Sequence, residues 1–247
     1  FASIYILAQQ LVKKSNEDGY IVGYRGGIGA SFIAFLLGIT EINPLYAHYR
    51  CLKCKKSDFS DYGVENGMSL VDKICPICKE NLIKDGMNIP FEVFAGTNGE
   101  EEPYISLNFS INILDKINSY ISEVITECSE NDLENYTLLK LDILGHDDQT
   151  MLHMLHELTG VSPRDITLDD KETISIFNST EALGVSPKQI NSSVGTFGIP
   201  EFGNRYTRDM LFETKPTTFE ELVKISGLLH GTNAWNESVL DLIQTNK

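Results

Sequence analysis

Four cysteines constrain this chain more tightly than any other feature. Cys51-Leu-Lys-Cys54 and Cys75-Pro-Ile-Cys78 form two CxxC pairs with residues 55–74 between them, and Cys128 stands apart. Each CxxC turn offers two sulfurs on one knuckle. A loop that brings two knuckles together completes the tetrahedral thiolate set that zinc takes. The alternative is two reduced, partly buried thiol pairs. Lys53, Lys55, Lys56, Lys73 and Lys79 surround the sulfurs and favour their ionised forms. All four ligands would come from protein, so a metal held by Cys51, Cys54, Cys75 and Cys78 is closed to substrate and structural. Its binding would supply folding energy to a module spanning about residues 45–90.

Around this module the chain has 247 residues, 42% of them hydrophobic, enough for one real core and a smaller second module. It begins at Phe1 and its first residues already read as a helix, so it is expected to be a piece of a longer protein. No secretory signal is present, and the longest apolar run, Phe32–Ile39, is short and contains Gly38. The expected compartment is the cytoplasm, with no membrane partner. There, paired cysteines favour metal over disulfides. The net charge of −15 argues against a free-standing nucleic-acid binder, which needs cations to displace counterions from phosphates.

Ile4, Leu7, Ala8, Leu11 and Val12 fall on one face of a helix over residues 1–14. Tyr20–Val22 is a strand candidate, followed by GYRGGIG and a helix over Ala30–Leu37 that Gly38 closes. Tyr104–Phe109 and Leu138–Leu144 read as strands, with an acidic helical stretch over residues 111–135 between them. Asp147 or Asp148 is the expected N-cap of a helix to about Thr159, with Met151, Leu152, Leu155 and Leu158 as its apolar face. His153 and His156 lie on that helix and are expected at its surface. Beyond Gly160 the pattern is short helices and loops, ending in a helix over Thr218–Leu229.

The glycines of GYIVGYRGGIGASF sit between a strand and a helix. There they serve either a tight turn or the close approach of backbone N–H groups to an anion, with Arg25 as a phosphate-matching fork. The loop is neither a Walker loop nor a dinucleotide fingerprint. Asp142, among alternating apolar residues in LLKLDILGHDD, is either a cleft acid or a solvated one.

These stretches, with TEALGVSPKQI, GIPEFGNRYTRDML and TKPTTFEELVKISGLLHGTNAW in that order, resemble the PolC-type DNA polymerase III alpha subunit. The resemblance covers about residues 1–110 and 137–235. It implies a mixed α/β fold (α+β): a polymerase-beta-like nucleotidyltransferase palm over 1–160, carrying the inserted four-cysteine zinc module, and partial, mostly helical fingers over 161–247. It implies that Gly23, Arg25, Gly26, Gly29 and Ser31, together with Arg205 and Arg208, meet the phosphates of a dNTP. Lys215 and Lys224 are further cations placed near triphosphate or template. It also implies catalytic magnesium held by aspartates, primer-template DNA as partner, and other polymerase domains or replisome subunits around the chain.

The third family aspartate matches Asp142. The first two positions are Tyr104 and Ser106, and Tyr24, Gly27 and Ala30 stand where the family has Ser. The interval from Ser106 to Asp142 is shorter than the family's. The resemblance therefore yields two readings: a DNA-directed DNA polymerase by family, and a non-catalytic polymerase-derived fragment for this chain. A zinc-containing interaction module is the third.

Overall fold

The computed structural model describes residues 2–91, 93, 105–125 and 141–229. The chain folds as two compact units, Phe1–Pro163 and Arg164–Lys247. In chain order the first holds α1 (Ala2–Glu17), β1 (Gly23–Arg25), α2 (Phe32–Leu36), β2 (His48–Arg50), β3 (Ser57–Asp58) and β4 (Ile83–Asp85), then β5 (Ile105–Ser110), α3 (Leu114–Ile125), β6 (Leu141–His146) and α4 (Asp147–Thr159). It is a mixed α/β arrangement with two small sheets, ordered β1-β5-β6 and β3-β2-β4.

In the first sheet β5 is central, antiparallel to β1 and parallel to β6. Its side chains alternate between the two faces. Ile105, Leu107 and Phe109 enter a core with Tyr5, Ala8, Leu11 and Val12 of α1, Ile28, Ala34 and Ile39 around α2, and Ile113 and Ile117 of the α3 region. Ser106, Asn108 and Ser110 point the other way and are also buried. A parallel pair cannot be joined by a tight turn, so β5 and β6 are separated by α3 and by residues outside the described set.

The expected strand at Tyr20–Val22 begins three residues later, at Gly23. Tyr20 is held otherwise: its carbonyl accepts from Ser15 Oγ at 2.9 Å, and its ring lies 4.2 Å from that of His153. Gly23 enters the ladder opposite Asn108, with the Gln149 amide packed against its Cα. The helix expected over Ala30–Leu37 is split into a 3-10 turn at Gly26–Ala30 and α2. Gly26 at φ +70° opens that turn with backbone that favours glycine. Tyr104 and residues 138–140 lie outside the described residues, as does the expected helical stretch beyond Ile125.

The N-cap expected for α4 is corrected. Its N-cap is His146, whose Nδ1 lies 3.3 Å from the Asp148 N–H, rather than Asp147 or Asp148. Its apolar face is turned to solvent at three of the four expected positions, with Leu152 half-buried. Gln149 is buried, Thr150 Oγ1 meets Ser110 Oγ at 2.7 Å, and His153 Nδ1 donates to the Gly19 carbonyl at 2.9 Å, while Met151, Leu155 and Leu158 are exposed. The cause is the face of β5 that α4 covers. That face is Ser106, Asn108 and Ser110; Ser110 finds its polar partner in Thr150, whereas Asn108 Oδ1 and Gln149 Oε1 are buried without one among the described residues.

The second unit contains α5 (Lys171–Ser175), α6 (Pro187–Ile190), α7 (Arg205–Thr214) and α8 (Phe219–Leu229). Ile174, Phe177, Val194, Met210, Leu211, Leu222 and Ile225 form its core. Asp170 and Asn204 cap α5 and α7 by accepting from Thr173 N–H and Thr207 N–H. α8 starts where the sequence placed it, with Thr218 Oγ1 accepting from the Glu221 N–H at 3.2 Å.

Leu107 and Leu158 are chemically alike and opposite in setting. Leu107→Ala is expected to destabilise the first unit by about 2–5 kcal/mol, and Leu158→Ala by less than about 0.5 kcal/mol. Urea unfolding of the zinc-loaded chain, followed at both substitutions, checks the contrast.

Candidate metal centre and active site

The second sheet carries the cysteines. β2 runs directly into the first knuckle, and β3 and β4 pair with β2 on either side. The two knuckles share one local design. Cys51 N–H donates to the Lys56 carbonyl at 2.8 Å and Lys55 N–H returns to the Cys51 carbonyl at 2.9 Å. Cys75 N–H donates to the Glu80 carbonyl at 2.8 Å and Lys79 N–H returns to the Cys75 carbonyl at 3.0 Å. Lys55 and Lys79 close the turns in left-handed backbone, at φ 60° and 62°. Each knuckle thus aims two sulfurs at the other.

Cys51 Sγ lies 3.3 Å from Cys78 Sγ, Cys54 Sγ lies 3.6 Å from Cys75 Sγ, and all four sulfurs fall within 4.8 Å of one another. Zinc–sulfur bonds of about 2.3 Å place tetrahedral sulfurs about 3.8 Å apart, so the residues fit the metal. Ionisation is divided among the thiols. Cys75 is lowered to about 6, chiefly by the Cys78 N–H it accepts, and Cys51 is lowered chiefly by the Cys54 N–H. Cys78 accepts the Glu80 N–H, but its thiol neighbours and burial outweigh that and push it up to about 11; Cys54 is raised as well. Four thiolates this close repel one another, and a divalent cation at the centre removes that penalty.

The first sheet carries the other candidate residues. Arg25 pairs with Ser106 across β1 and β5, and Ser106 pairs with Asp142 across β5 and β6. The three form one row across the sheet. Ser106 is buried, Asp142 half-buried and Arg25 exposed. Arg25 Nη2 lies 3.5 Å from His146 Nε2, and His146 Nδ1 lies 3.2 Å from Asp148 Oδ2. One imidazole tautomer caps α4; the other donates from Nδ1 to Asp148 and lets Nε2 accept from Arg25.

Ser31 is spent on structure. Its hydroxyl accepts from the Ala34 N–H at the start of α2, meets Tyr5 Oη at 2.9 Å, and is buried. Gly23 lies in β1, Gly26 opens the turn, and a Cβ at Gly29 would make only ordinary contact with Ile42.

In the second unit Arg205 is exposed beside Asp209, and the Arg208 guanidinium stacks 3.9 Å from the centre of the Phe197 ring. Both line a cleft of about 480 Å³ with Ser192 and Ser193. Lys215 ends α7 in left-handed backbone, and Lys224 pairs with Glu220 at 2.8 Å. The residues that sequence reasoning missed are His146, Asn108 and Gln149. The alternation Ser-Leu-Asn-Phe-Ser in β5 was the available signal, since it gives the strand one apolar and one polar face.

Magnesium takes oxygen ligands, and a two-ion centre shares several carboxylates. The row offers one carboxylate, one hydroxyl and one guanidinium, which do not fit such a centre. Among the described residues, the four cysteines are the one group of ligands close enough to hold a metal ion.

The family model for the bacterial DNA polymerase III alpha subunit NTPase domain matches residues 1–124, and that for its finger domain matches residues 148–247. The chain belongs to the bacterial DNA polymerase III alpha subunit family. Its similarity is to the PolC type, as the motifs implied. The DNA polymerase III PolC-type of Caldanaerobacter subterraneus subsp. tengcongensis is 38% identical over 332 residues, covering 99% of this chain and 24% of that protein. That of Staphylococcus saprophyticus is 38% identical over 335 residues, covering 100% and 23%, and that of Bacillus cereus 38% over 331 residues, covering 98% and 23%. The chain spans about a quarter of the length of these relatives. With 332 aligned positions against 247 residues, the difference of 85 is the least number of positions that have no residue here. The two family matches leave residues 125–147 between them, and β6 lies in that interval.

Purified chain is expected to carry one zinc per molecule, measured by metal analysis, and to lose the order of the cysteine module on Cys75→Ser. A stoichiometry near zero in fully folded protein would refute the site. Cys54 and Cys78 are raised and hold their protons at neutral pH, so zinc binding at pH 8 should release at least about two protons. Its affinity should climb with pH and fall steeply as pH drops through the Cys75 value of about 6. Calorimetry in two buffers of different ionisation enthalpy measures the release.

Proposed function

We propose that this chain is a palm-and-fingers segment of PolC descent that keeps the scaffold of a nucleotidyl-transfer site and has lost its capacity to extend a primer. The observation that carries the reading is the register of β5 and β6: Ser106 stands opposite Asp142, where the resemblance expects a second aspartate. A serine hydroxyl carries no charge at neutral pH, so it gives up both the Coulombic attraction and the strong coordination that a carboxylate offers a metal. Metal ligands act as a unit, and loss of one already removes most of the rate such a site can supply. Arg25, a cation in the same row, further disfavours a divalent ion there.

In this reading Arg25 and the backbone of Gly23, Gly26 and Gly29 receive the phosphates of a dNTP, and Ser31 fixes the helix that follows. Arg205 and Arg208 are, by the resemblance, cations of the second unit that meet triphosphate or template. Asp142 is the remaining catalytic position and would hold magnesium only weakly. Primer-template DNA, dNTPs and other polymerase or replisome parts are the partners, in the cytoplasm, and zinc is the structural cofactor. A second reading, an interaction module built on the zinc site, draws on one observation. Leu52 and Ile77, in the middle of the two knuckles, are both exposed.

The test is primer extension with magnesium and all four dNTPs, beside fluorescent-nucleotide binding. No template-dependent extension is expected from the chain. Arg25→Ala is expected to weaken nucleotide binding by about 10-fold or more, the scale of one charge-assisted contact. Extension by the unmodified chain that disappears in Asp142→Ala would overturn the reading.

A further inference from the structure

α4 is built inside out. Its polar side chains Gln149, Thr150 and His153 face the sheet and the Gly19 turn, and its apolar stripe faces away. Met151, Met154, Leu155 and Leu158 recur at i, i+3, i+4 and i+7, and Met154, Leu155 and Leu158 are 49%, 44% and 75% exposed. Val161, just past the Gly160 cap, extends the stripe and is exposed too. An apolar stripe at this spacing is a groove-type recognition surface, and two methionines let it adapt to a partner.

The charge around the stripe selects the partner. From Leu141 to Pro163 there is no Lys or Arg, against Asp142, Asp147, Asp148 and Glu157. A second copy of this chain would bring the same acids against each other, on molecules of net charge −15 each. The relatives also have at least 85 positions with no residue here, and the family matches break immediately before this helix.

We propose that the α4 stripe is a docking surface for an amphipathic helix of another protein, apolar on one side and rich in Lys and Arg on its flanks. The helix lies along Met151, Met154, Leu155 and Leu158, and its cations meet Asp147, Asp148 and Glu157. This interaction does not depend on nucleotide chemistry.

The probe is a fluorescein-labelled helix of about 18 residues made of Leu and Lys, with leucines at i, i+3, i+4 and i+7. It is compared with the same pattern carrying Glu in place of Lys, and with a scrambled Leu/Lys peptide that has no stripe. Fluorescence anisotropy is read on the zinc-loaded full chain. The patterned Leu/Lys peptide is expected to bind at least about 10-fold more tightly than either control. The double substitution Leu155→Ser/Leu158→Ser, and separately Met154→Ser, should weaken it by about 10-fold or more with unchanged melting. Equal binding of the scrambled peptide would reduce the effect to net charge and overturn the proposal. Unchanged binding to both stripe variants would do the same. A chain that sediments as a dimer, and as a monomer after Leu155→Ser/Leu158→Ser, would assign the stripe to a second copy instead.

Discussion

β5 is hydrogen-bonded along both edges, to β1 and to β6, and all six of its residues are buried. Its alternation therefore does two jobs at once. Ile105, Leu107 and Phe109 hold α1 and the α3 region to one side of the sheet. Ser106, Asn108 and Ser110 dictate which face of α4 can approach from the other. The same register lines up Arg25, Ser106 and Asp142. A slip of one residue would move the leucine and phenylalanine to the polar side and scatter the row, so core and candidate site are specified together.

The zinc module depends much less on this sheet. Its knuckles close on their own backbone hydrogen bonds, and the lysines at positions 55 and 79 accept left-handed backbone to do so. Such backbone costs a non-glycine residue about 1–2 kcal/mol, which metal binding can offset many times over. The cationic residues are concentrated where thiolates gather. Residues 45–90 hold seven Lys and Arg against six Asp and Glu, so the module is nearly neutral within a strongly acidic chain.

What was legible in the sequence follows from how local each signal is. The cysteine pairs were readable because a CxxC turn carries its own geometry, and α1 and α8 because each has a continuous apolar stripe against a core. β1 was misplaced because Tyr20 and Val22 have the stronger strand propensity, whereas the ladder starts where β1 meets β5, at Gly23 opposite Asn108. The apolar face of α4 was legible and the way it turns was not, because periodicity reports amphipathicity and not direction. Direction is set by the polar face of β5, far away in sequence. His146 as a cap was invisible for the usual reason that Asp outranks His there. The resemblance puts Asp142 and Ser106 at neighbouring positions of one sheet, and the register of β5 and β6 pairs them directly.

The function we propose rests on one centre: Ser106 and Asp142, side by side in the sheet, supply one carboxylate where catalytic cations need several. Manganese, which occupies the oxygen sites of magnesium and is visible by electron paramagnetic resonance, tests it directly. Titrated into the zinc-loaded chain without nucleotide, it should show no binding tighter than about 1 mM that Asp142→Asn removes. Two manganese ions bound per chain well below that concentration, and both lost in Asp142→Asn, would contradict the claim.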